Sequence, residues 1–129
     1  MARQASWKGK TPTTTISHTT NTVLDTIYVR EGAGYLWAEV SNSADAALDT
    51  FTVSISPYSD ASFHTIASTA SDYTTGIQFP ILGCDADLTT LAKSSTGLLC
   101  MNIKGVYGVR MTAGTASSDT NLILRWSVR

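Results

Sequence analysis

Between residues 98 and 129 apolar and polar side chains alternate with a period of two, in three runs joined by short connections. Residues 98–103 carry Leu99, Met101 and Ile103 on one parity, while the other parity ends on Asn102. The second run sets Tyr107, Val109, Met111 and Ala113 against Gly108, Arg110 and Thr112. The third sets Leu122, Leu124, Trp126 and Val128 against Asn121, Arg125 and Ser127. Side chains of a strand point alternately to its two faces, so each run reads as a strand with one face on a core and the other on water or a partner. Together the three are expected to close the fold as a meander.

The preceding residues continue the theme. Residues 23–30 form a first convincing strand, with Val23, Ile27 and Val29 as candidates for burial, and Gly32 and Gly34 mark the turn after it. Leu36, Ala38 and Val40 then alternate with Tyr35, Trp37 and Glu39, which leaves two aromatics on the charged face. In residues 48–57 Phe51, Val53 and Ile55 oppose a side made of Thr and Ser, and Pro57 ends the strand or places it at an edge. Short strands are expected over residues 63–67 and 76–82, with a polar loop over 68–75. Leu88, Leu91 and Ala92 have helical spacing, which predicts one or two helical turns across an end of the fold.

About eight short strands with polar turns and one short helix predict an all-β chain. The expected architecture is a β-sandwich or a jelly-roll-like Greek key. Its 129 residues suit one domain, residues 23–129, preceded by an extended N-terminal arm, residues 1–22, whose few apolar residues include Trp7 and Ile16.

Only 15% of the residues are charged, against about a quarter in an average globular domain. A charge-poor surface rich in Thr, Ser and Ala is easily buried, which favours assembly. The formal net charge of -1 conceals a segregation. Before Asp25 there are only the cations Arg3, Lys8 and Lys10; residues 25–87 hold nine acids against Arg30; residues 93–129 hold five cations against Asp119. Such a chain carries a polarity that can orient it on a partner, unless folding interleaves the blocks.

No apolar run approaches the length of a membrane span, and the N-terminus lacks the apolar core of a signal peptide, so synthesis in a cytoplasm is expected. Cys84 and Cys100 fit that compartment as reduced thiols.

No constellation of catalytic residues stands out. His18 and His64 are isolated from each other, and pairing His64 with any one serine carries no information. Asp85 and Asp87 offer too few oxygens for calcium, and the cysteines lack the paired spacing of zinc sites. The two aspartates fit better in the first turn of the short helix. The expectation is therefore no catalytic site, no metal and no cofactor. Arg3, Lys8 and Lys10 reach too few phosphates to recognise a nucleic acid, and no membrane attachment is expected. Two surfaces remain as candidates. One is a partner-binding set drawn from the arm and the closing strands: Arg3, Trp7, Lys8, Lys10, Arg110, Arg125 and Arg129. The other is a carbohydrate platform made by Tyr35 and Trp37 beside Glu39.

In style the body of the chain resembles the small β-sandwich or jelly-roll decoration (cement) proteins of tailed bacteriophage capsids. The segments that carry the resemblance are Ala47-Leu48-Asp49-Thr50-Phe51-Thr52-Val53, Asp87-Leu88-Thr89-Thr90-Leu91 and the ending from Asn121 to Arg129. The resemblance implies a virion protein on the capsid exterior, a homodimer or homotrimer docked on the major capsid protein and bracing the shell. It brings no catalytic residues. The alternatives are another virion part, of the tail or the head-to-tail connector, and a carbohydrate-binding module.

Overall fold

The computed structural model of the chain describes residues 7–17, 21–43, 45–59, 61–115 and 118–129. Among them are ten strands: β1 (Trp7–Lys10), β2 (Thr14–Ile16), β3 (Thr22–Tyr28), β4 (Tyr35–Asn42), β5 (Leu48–Ser56), β6 (His64–Ala67), β7 (Ile81–Cys84), β8 (Thr96–Asn102), β9 (Gly108–Thr115) and β10 (Thr120–Val128). Two single 3-10 turns, Ala70–Tyr73 and Leu88–Thr90, stand where a polar loop and a short helix are expected.

The strands form two antiparallel sheets. One has the order β1-β10-β4-β8-β7, with β2 also pairing β10; the other is β3-β9-β5-β6. Apart from the split first strand and the β5–β6 and β7–β8 pairs, consecutive strands cross from one sheet to the other at every step. That is jelly-roll wiring, with the first strand split into β1 and β2 and with β7 added at one edge. The all-β sandwich expected from alternation is what the chain forms.

The closing strands differ from the expected meander. β8 and β10 lie in the six-stranded sheet and β9 in the other, so the chain crosses the core twice between residues 102 and 120. The physical reason lies in β4, which sits between β10 and β8 and pairs with both: Leu124 opposite Val40, and Ala38 opposite Leu99. Alternation fixes which face is buried but is silent about which strand lies alongside.

The inward faces supply one core. Leu36, Ala38, Val40, Leu99, Met101, Leu122, Leu124 and Val128 from one sheet meet Ile27, Phe51, Val53, Val109, Met111 and Ala113 from the other, all buried. Burying each large side chain contributes about 1.5–3 kcal/mol. On β3 the pairing register shifts between Val23 and Asp25. This bulge turns Leu24 into the core and leaves Val23, expected inside, 49% exposed.

The described part of the N-terminal arm is a sheet edge. β1 and β2 both run along the free side of β10, and between them the Thr11 N–H donates to Leu124 O while the Leu124 N–H donates to Thr11 Oγ1. Ile16 is fully buried, so residues 7–16 belong to the sandwich and do not stand off it. Gly9 is required opposite Trp126, whose indole occupies the space a Cβ would take.

Candidate interaction surface

Each inward alternation leaves an outward one, and the six-stranded sheet brings its outward residues into cross-strand rows. Lys10, Arg125, Glu39 and Leu98 form one row; Lys8, Ser127, Trp37, Cys100 and Gly83 form the next. Trp37 is 45% and Leu82 50% exposed, with Leu98 and Cys100 half-buried beside them. Two shallow grooves of about 530 and 330 Å³ share Trp37 and Leu98. The result is an apolar strip of β4, β8 and β7 flanked on the β1–β10 side by three cations.

Arg125 Nη1 donates to Glu39 Oε1 at 3.4 Å, and both side chains are nearly half exposed. Such a surface pair contributes little to stability. It does neutralise one cation, which leaves the charge of the face to Lys8 and Lys10. Ser127 Oγ, between Lys8 and Trp37, is buried with no hydrogen-bond partner among the described residues.

The structure divides the residues expected to bind a partner. Lys8, Lys10 and Arg125 come together on this face, by the pairing of β1 with β10. Trp7 is instead partly buried against the core, with the Arg30 guanidinium 5.1 Å from its ring centre. Arg110 lies on the outer face of the four-stranded sheet, where its guanidinium stacks 3.9 Å over Phe63 and its Nε donates to Thr26 Oγ1. There it is held among Thr and Ser side chains, away from the other cations. Arg129 stands at one end of the sandwich, its carbonyl accepting from the N–H groups of Gly34 and Tyr35. Arg3 and His18 lie outside the described residues. Leu82, Leu98 and Cys100 complete the apolar strip and were not singled out from sequence, although Leu98 and Cys100 stand on the second parity of a run whose first parity is already apolar.

The carbohydrate platform also divides. Tyr35 and Trp37 share the outward side of β4, but Trp37 lines the two face grooves and Tyr35 a depression at the end of the sandwich.

The remaining reactive groups have local partners. Asp87 caps the Leu88–Thr90 turn, accepting from the N–H and hydroxyl of Thr89, while Asp85 accepts from the Leu98 N–H of β8. Cys84 Sγ donates to Ala86 O, and burial pushes both thiols above the usual cysteine range. Among the described residues no group of three or more His, Cys, Asp or Glu is placed to hold a metal ion. No helix among the described residues is long and apolar enough to cross a membrane.

Comparison with known proteins gives no match to a family model, a curated protein or a solved structure.

Proposed function

We propose that the chain is a non-enzymatic virion protein, a capsid decoration (cement) protein that binds the outer shell as a homo-oligomer and stabilises it. The observation that carries this reading is the outer face of the six-stranded sheet, where Trp37, Leu82, Leu98 and Cys100 adjoin Lys8, Lys10 and Arg125. An exposed aromatic anchor beside a cationic rim suits docking on an acidic protein surface.

The edges of the sheets favour face-on association. The β1–β2 edge is interrupted at Pro12, and the pairings of β3, β6 and β7 each contain a register irregularity. Proline and bulges discourage pairing with a foreign strand, which leaves the faces as the surfaces open to a partner. Jelly-roll wiring agrees with the resemblance in the body of the sequence. A small contact binds weakly alone, but an oligomer engaging repeated lattice sites raises its effective concentration and turns modest contacts into a durable hold.

The test uses shells of the parent virus stripped of this protein. Wild-type chain should co-sediment with them, and both Trp37→Ala and the double variant Lys8→Glu, Lys10→Glu should weaken binding without loss of fold. Absence of co-sedimentation of the wild-type chain at low salt would remove the proposal.

A further inference from the structure

The two ends of the sandwich differ in chemistry. At one of them β3 ends on Tyr28, β4 begins at Tyr35, β5 gives way to Pro57 and Tyr58, and β9 is entered through Tyr107. Four of the five tyrosines gather here, each at least 38% exposed, whereas the fifth, Tyr73, is in the core. They are scattered in sequence, and strand direction brings them together.

Between their loops lies a depression of about 610 Å³, within the usual size range of ligand sites. Ala33 and Val106 line it from the core, and Tyr35 and Tyr107 complete the lining. Its polar lining comes from Arg30, Glu31, Asn102 and Lys104. The walls are tied by backbone hydrogen bonds: the Val29 N–H donates to Tyr107 O, the Tyr107 N–H to Ser56 O, and the Ile103 N–H to Gly34 O. Asn102 Oδ1 accepts from the Lys104 N–H, and the Tyr28 and Tyr107 rings meet edge to face at 5.7 Å. A site braced in this way needs little ordering when a ligand enters.

We propose that this end of the sandwich is a binding site for a neutral oligosaccharide. Half-exposed tyrosine rings offer apolar faces to the C–H faces of a pyranose ring while keeping a polar edge. The Asn102 amide, the Arg30 and Lys104 donors and the Glu31 carboxylate match vicinal hydroxyls, which both donate and accept. Glu31 lines the same depression as Arg30 and Lys104, so its carboxylate offsets the two cations, whereas phosphate recognition wants cations without a competing anion. An extended peptide would seek a sheet edge, and this site lies at strand ends. The inference stands apart from the shell-binding reading, because it uses a different surface and Trp37 takes no part in it.

The experiment is a screen of the full chain against immobilised neutral and acidic oligosaccharides, followed by titration of the best neutral binder into isotope-labelled protein. Binding should weaken about tenfold or more in Tyr35→Ala and in Tyr107→Ala, and remain unchanged in Trp37→Ala. Amide shifts should concentrate at residues 29–35 and 102–107. Thermal melts identify any variant that fails to fold, and Lys104→Ala, at an exposed position, then serves as the second site variant, weakening binding with the fold intact. No binding to any neutral glycan at millimolar concentration would overturn the proposal, as would binding only to acidic glycans or amide shifts centred on Trp37.

Discussion

Asn42 shows how much one polar residue can organise. It is 4% exposed, and its Nδ2 donates to Ala46 O at 2.8 Å and to Leu91 O at 3.1 Å while its Oδ1 accepts from Thr120 Oγ1 at 2.7 Å. One side chain thus joins the β4–β5 loop, the segment after the Leu88–Thr90 turn and the start of β10. Asn42→Leu should cost about 3 kcal/mol, because three buried partners each lose one hydrogen bond, and urea unfolding should show a lowered midpoint with an unchanged slope. Tyr73 is the counterpart in the apolar layer. Its ring packs edge to face on Phe51, and its hydroxyl donates to Phe51 O and Ala67 O. Burial pushes its ionisation well above the ordinary value of 10.0. The unfolded chain therefore releases this proton first as pH rises. Stability from this group is complete below the ordinary value and is lost progressively above it. Tyr73→Phe should cost about 1–2 kcal/mol at neutral pH and flatten the alkaline fall, as read by urea unfolding between pH 8 and 11. Neither role was legible in the sequence. Asn42 sits at the start of a turn of small residues and Tyr73 in a polar run, and in each case the partners are supplied by chain more than twenty positions away or by the path of a loop.

Elements were legible where one face is buried and one is not. β4, β5, β9 and β10 follow their alternation closely, since a shift by one residue would expose a whole apolar set. Legibility failed where the backbone breaks the period, as at the bulge that exchanges Val23 for Leu24, and where neighbours decide the placement, as with β9. The N-terminal segment has the same lesson. A polar threonine-rich run reads as an arm, yet it gains its order from the backbone of β10, which sequence periodicity does not report. Deleting residues 1–16 is therefore expected to damage the fold. It removes the fully buried Ile16 and the partly buried Trp7 and bares the edge of β10. A loss of more than about 3 kcal/mol, or aggregation on size-exclusion chromatography, should follow. A truncated chain that melts like the full one would show that β10 does not need this edge.

At the scale of the molecule, folding keeps part of the charge segregation, although Arg125 pairs with Glu39 and Glu31 shares a depression with Lys104. β4 ends, β5 begins, β8 begins and β9 turns to β10 at the end opposite the tyrosines, and the loops there, with the start of β5, carry Asp45, Asp49, Asp85, Asp87 and Asp119 against Lys93. Lys8, Lys10 and Arg125 lie instead on the face of the six-stranded sheet. The chain thus has an acidic end and a cationic face, and an acidic lattice would attract the second and repel the first. This geometry makes the orientation of shell binding testable. Reversing both Lys8 and Lys10 to Glu changes two charges at the proposed contact, at about 1 kcal/mol each for exposed groups, so affinity per site should fall near thirtyfold. Replacing Asp45, Asp49 and Asp119 with Asn changes the net charge by nearly as much but at the remote end. That variant should bind as well as the wild type or slightly better. The gap between the two variants should narrow as salt is raised from 50 to 500 mM, since the screening length then falls from roughly 14 to 4 Å. A gain in the Asp variant as large as the loss in the Lys variant would mean that net charge alone governs association, and the cationic face would lose its claim to be the docking surface.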